Sequence, residues 1–128
     1  MASVRVAASR GVIHAVYEGT MTMELVKEGQ RQIEALIPTL ASPVVLYDTL
    51  AMDPPQMSLA LEMKAFDSRI APLILRSATV VSNAATAFCA KVAFIFSREH
   101  RVFYNDRRAA IDWLQSAIHK DSERRQQA

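Results

Sequence analysis

The chain has 128 residues, of which 51% are hydrophobic and 22% charged. That is the composition of one folded domain with a single sizeable core, and it lies far from the disordered class. A net charge of +2, split as −2 over residues 1–64 and +4 over residues 65–128, falls short of the dense basic stripe of a nucleic-acid surface.

One cysteine, Cys89, excludes an intrachain disulfide and a cysteine-rich zinc site, and it suits a reducing compartment. The beginning MASVRVAASRG lacks the apolar run of a signal peptide, and Lys or Arg interrupts every apolar stretch of about 18 residues. A cytoplasmic, soluble protein without a membrane span is expected.

Two short strands come first. Val4, Val6 and Ala8 alternate with Arg5 and Ala7, Arg10-Gly11 supplies a turn, and Val12, His14 and Val16 continue the period of two. The spacing predicts a hairpin over 3–8 and 11–17. Thr20 then caps a predicted helix over 21–37, with Leu25, Gly29, Ile33, Leu36 and Ile37 inside and Pro38 as its stop. The run Pro43 to Asp48 (PVVLYD) reads as a buried central strand.

A loop from Thr49 to Met57 carries Pro54 and Pro55, and Ser58 opens a second helix facing inward through Leu59, Met63, Phe66, Ile70 and Leu73. Residues 77–81 form the next strand, and Ser82 and Asn83 are caps for a third helix over 84–97. Its predicted inner side is Phe88, Val92, Ile95 and Phe96. Residues 102–104 make a last strand, and Asn105 or Asp106 caps a fourth helix facing in through Ala109, Ala110, Trp113, Leu114, Ala117 and Ile118. Residues 1–119 thus form one domain, with a polar tail over 120–128. The order β-β-α-β-α-β-α-β-α predicts an α/β fold: a single mixed, mostly parallel sheet of about five strands covered by four helices.

The segment Arg101 to Leu114 (RVFYNDRRAAIDWL), a short strand followed by a capped helix with Ala and Trp-Leu facing in, resembles the end of small bacterial STAS-family proteins. These are related to anti-sigma-factor antagonists, here in the divergent lipid-transfer-like branch. The apolar strand Val44 to Asp48, ending in an acid, matches the strand that such proteins carry before their second helix. The resemblance implies a non-enzymatic regulatory domain that docks on a protein partner, sometimes under phosphorylation control. In better-known members a Ser follows an Asp where that helix starts. This chain instead reads DTLAMDPPQMS from Asp48 to Ser58, with Ser58 the nearest equivalent and two prolines in place of a glycine-bearing loop.

Other chemistries find little support. The three glycines are Gly11, Gly19 and Gly29, so no turn after a later strand can bring its backbone against a phosphate as nucleotide sites do. His14, His100 and His119 have no metal-ligand spacing, and neither metal nor cofactor is expected. Cys89 reads as a small core residue in the third helix.

Asp48 and Asp53 lie where open α/β sheets place their ligand crevice. They would be the pair in a small enzyme, although turn-capping is the simpler role for both. Met52 and Met57 are candidate surface contacts. The contact or phospho-switch candidates are therefore Asp48, Thr49, Asp53, Met57 and Ser58. An alternative is a carrier or sensor of a small apolar or lipid-like ligand. A homodimer through an uncovered sheet edge or the last helix is compatible with the pattern, though no heptads specify one.

Overall fold

The hairpin turn sets the first register. In the computed structural model, which describes residues 1–127, β1 (Ser3–Ser9) pairs antiparallel with β2 (Val12–Gly19), with Ser9 opposite Val12. The two residues between them, Arg10 and Gly11, have φ of 52° and 82°. Positive φ at both positions is the type I′ geometry whose twist matches the flanking strands.

From β2 onward the strands are parallel. β3 (Val44–Met52), β4 (Arg76–Val81) and β5 (His100–Tyr104) follow in chain order, giving the sheet β1-β2-β3-β4-β5. The connecting helices are α1 (Met23–Leu36), α2 (Met57–Ile70) and α3 (Ala84–Ala93). Three crossovers that step the same way along a sheet and share one hand must lie on one face. Their core joins Ile13, Tyr17, Val45 and Tyr47 of the sheet to Val26, Ile33, Phe66, Ile70, Ala90 and Phe94. The other face is left to α4 (Arg107–Gln127), which packs Ala110, Leu114 and Ala117 on Val12, Val44, Leu46, Ala78 and Val80.

Several boundaries differ from expectation for local reasons. Thr22, not Thr20, caps α1, its hydroxyl accepting from Leu25 N at 3.2 Å. Ser58 does not cap α2; the cap is Gln56, which makes no side-chain bond, and Ser58 sits exposed in the first turn. β3 runs four residues past Asp48. Leu73 is exposed, following Pro72 in a 3₁₀ turn that ends the helix face short of it.

The largest difference is α3. It stops at Ala93, and it buries Thr86, Ala87, Ala90 and Ala93, with Phe94 beyond them, while Phe88, Ile95 and Phe96 point to solvent. Small side chains let this helix sit close to its neighbours, so the bulky ones fit only outside. The polar tail continues α4 as helix to Gln127, tied down where Ser42 Oγ donates to Asp121 Oδ2 at 2.6 Å; Ala128 lies outside the described residues.

Candidate functional site

The ends of β2 and β3 build a platform for the start of α2. Between Val16–Asp48 and Glu18–Ala51 the β2–β3 register slips, with one extra residue on β3. Such a bulge bends its strand and re-aims side chains. Within it, Thr49 is buried and its hydroxyl donates to Val80 O at 2.7 Å, tying β3 to β4 where the ladder has ended.

Thr20 Oγ1 donates to Asp53 Oδ2 at 2.6 Å, and Asp53 N donates to Gly19 O at 3.0 Å. This clasp anchors the Pro54-Pro55 loop, which Cys89 Sγ reaches from α3 at 3.6 Å from Pro55 O. Burial pushes the Cys89 thiol up from its ordinary range, away from nucleophilic character. Met57 and Ser58 emerge at the exposed α2 N-terminus, which has neither a side-chain cap nor an acidic residue in its first turn.

Asp48 belongs to the opposite face. The residue is 4% exposed, and its carboxylate accepts from Arg107 Nε at 2.7 Å and from Leu50 N at 3.2 Å, and so pins the first turn of α4 to β3. His14 lies close enough to feel both charges. Burial lowers its pKa, the Asp48 charge partly restores it, and the Arg107 charge lowers it again. Asp48 and Asp53 are therefore engaged separately, one by Arg107 and the other by Thr20, and no hydrogen bond joins them. Among the described residues no group of three or more His, Cys, Asp or Glu is placed to hold a metal.

Beneath the platform, between the sheet and the three helices, lies an apolar pocket. Met21, Met52, Met63 and Pro55 stand on one side, Tyr17 and Tyr47 rise from the sheet, and Thr86, Cys89 and Ala90 come from α3. Met52 thus faces inward, whereas Met57 is at the surface. The hydroxyls of Tyr17, Tyr47 and Thr86 are buried without a hydrogen-bond partner. On the outside of the same helices Leu61, Phe88 and Phe96 are exposed, Phe96 by 74%, and Lys64 Nζ lies 4.7 Å from the Phe96 ring centre, bridging α2 to the turn after α3.

With this geometry, several solved structures match in shape. A DUF3478-family protein with a SpoIIAA-like fold from Shewanella loihica superposes with a TM-score of 0.66 at 19% identity, over 89% of this chain and 95% of that one. An anti-sigma factor antagonist from Mycobacterium paratuberculosis does so with a TM-score of 0.66 at 14% identity, over 90% and 95%. This chain has a STAS-like fold. No family model and no curated protein matches its sequence.

Within this STAS-like fold, two ionisable groups are withdrawn from solvent, which was not expected from the sequence. His100 opens β5. Its ring stacks on Phe94 with centres 3.8 Å apart, and its two nitrogens meet Ser77 Oγ at 2.7 Å and Thr79 Oγ1 at 3.0 Å. Burial drives its pKa down to about 3.

Asp67 of α2 is buried with Oδ1 unpartnered, and burial raises its pKa to about 6, with Ser97 pulling the other way. In the sequence, Asp67 stands four residues after Met63 and three before Ile70, on the predicted inward face, but a face read from its apolar residues alone passes over an acid. Arg107 gave no such sign, since its role depends on α4 crossing to the far face. Among the described residues no helix is long and apolar enough to cross a membrane.

Proposed function

We propose that this STAS-like domain is a non-catalytic regulatory module that docks on a protein partner through the start of α2 and the outer face of α2 and α3. The observation that carries this reading is the set of exposed apolar side chains there: Met57, Leu61, Phe88 and Phe96. Exposed large hydrophobics grouped on neighbouring elements mark interaction surfaces more often than chance. The anti-sigma factor antagonist of the same fold supports a regulatory role for such a surface.

Ser58 is the modification site in this reading. It is exposed in the uncapped first turn of α2, where backbone N–H groups and the helix dipole favour a phosphate. Thr49 is the poorer acceptor, being buried with its hydroxyl bonded to Val80. Asp48 and Asp53 serve as fasteners of the platform rather than as an acid–base pair, because each already has a dedicated partner.

The test compares tagged wild-type protein, purified from its source cells, with a Met57→Glu/Phe88→Glu double variant. Both substituted side chains are exposed, so the fold should survive. One protein recovered at near-equal amounts with the wild type and lost from the double variant supports docking through this face. A Ser58→Glu variant should then change the affinity for that partner about tenfold. Recovery of the same proteins in the same yield with both forms would sink the proposal.

A further inference from the structure

The sheet ends at β5 with its outer edge open, since β5 pairs with β4 alone. Ser77 N donates to Glu99 O at 3.0 Å and Asn105 N donates to Val81 O at 2.8 Å, so the odd-numbered residues here turn their backbone groups toward β4. Backbone direction alternates along a strand of a parallel ladder. The N–H and C=O groups of His100, Val102 and Tyr104 therefore face outward, with no strand beside them. A groove lined by β5 and the end of α3 follows this edge and reaches Trp113 of α4. It carries Lys91, Arg98 and Arg101, all exposed and, among the described residues, without an ion-pair partner. Glu99, the acid of the lining, is already taken by Arg76 at 2.7 Å.

We propose that β5 takes up an extended, acidic segment of another protein as a further strand of the sheet. Unpaired N–H and C=O groups along a strand edge are a template for such an addition. Charge selects the kind of segment. Side chains of an added strand alternate between the two faces of the sheet, so acids on one face meet Lys91 of α3 and acids on the other meet Arg101. The Arg101 guanidinium lies 4.8 Å from the Trp113 ring centre, which holds it at the edge, and Arg98 stands in the turn before β5. Ile95 and Tyr104, each more than half exposed, give apolar footing between these cations. The same charges oppose a second copy, because a two-fold β5–β5 pair would set like against like. At the opposite edge, by contrast, Arg5 of β1 is already paired with Glu18. This inference goes beyond docking through the outer face of α2 and α3, for it uses none of Met57, Leu61, Phe88 and Phe96.

The test is an NMR titration of the full chain, at low salt, with a blocked octapeptide of alternating Glu and Val. Binding should saturate, weaken as salt is added, and slow hydrogen exchange at the His100, Val102 and Tyr104 amides. The counterpart with Lys in place of Glu should not bind. A version methylated on every backbone nitrogen keeps its charges but cannot donate to β5, and it should bind about tenfold more weakly. Arg98→Glu/Arg101→Glu alters two exposed side chains, so the fold should survive. It should weaken the acidic peptide about tenfold, the scale of two surface ion pairs reversed in sign, and Arg98→Gln/Arg101→Gln should weaken it by less. Absence of saturable binding overturns the proposal, as do unchanged exchange at the three amides and equal affinity for the methylated or the Lys peptide. Tighter binding of an oligothymidylate of like length would assign the groove to nucleic acid. Slowed exchange at the same amides in the concentrated chain alone would assign it to a second copy. Either result also overturns the proposal. Met57→Glu should bind the peptide as wild type does, so this proposal and docking through the outer helix face fail separately.

Discussion

The His100 imidazole lies flat on Phe94 with a hydroxyl at each nitrogen, so the folded protein holds it neutral. Its pKa falls from an ordinary 6.5 to about 3. Between these values the unfolded chain binds the extra proton, so His100 contributes its full stability above pH 6.5 and loses it as pH falls. The slope is about 1.4 kcal/mol per pH unit, or about 2 kcal/mol from pH 7 to pH 5.

Asp67 works in the opposite sense. Its pKa rises from 3.8 to about 6, so the folded state holds the proton more tightly and loses stability as pH climbs through that range. The two slopes nearly cancel between pH 5 and 6. Denaturant unfolding of wild type should therefore change little over that interval. Asp67→Asn should expose the His100 slope, and adding His100→Gln should flatten it. A flat profile for Asp67→Asn alone would contradict the neutral, buried imidazole.

Among the elements, α1 approaches the sheet more closely than its pattern of apolar residues requires, because Gly29 faces β1. A Cβ there would sit 2.8 Å from Val4 Cγ1 and 3.7 Å from the Tyr17 hydroxyl. Alanine would gain about 1 kcal/mol in helix propensity, but overpacking of this kind costs about 1–3 kcal/mol. Gly29→Ala is accordingly expected to destabilise by about 1 kcal/mol, and Val4→Ala in the same chain should recover part of the loss. A double-mutant cycle in denaturant measures the coupling; a stabilising Gly29→Ala would show that the contact yields freely. The same close-packing logic reverses α3. Its alanines lie inward and its phenylalanine outward, so hydrophobicity alone pointed to the wrong face.

At the scale of the molecule, one sheet separates two unequal cores, a large one under three helices and a smaller one under α4. Residues 1–119 hold every buried position of both, while residues 120–127 contribute the Ser42–Asp121 bond and the exposed end of α4. We predict that a chain ending at His119 retains the fold, with native circular dichroism and one cooperative transition. It should lose on the order of 1 kcal/mol through the missing hydrogen bond and the shortened helix. Loss of the cooperative transition would place the domain boundary beyond His119.

Much of this architecture is local chemistry and could be read from the chain. Arg10-Gly11 dictated the hairpin, Asn83 capped α3 through Thr86 N, Pro38 closed the first helix, and alternation against helical periodicity set the element order. The resemblance carried by Val44–Asp48 and Arg101–Leu114 reached the fold that the solved structures share. Tertiary structure alone decided the rest. Asp48 meets Arg107 across 59 positions of sequence, Thr20 meets Asp53 across 33, and Tyr17, Tyr47 and Thr86 come from three separate elements to line one pocket. Such meetings depend on which face each crossover takes and how closely each helix packs. Both are set by the summed volumes of many distant side chains, which no local pattern records.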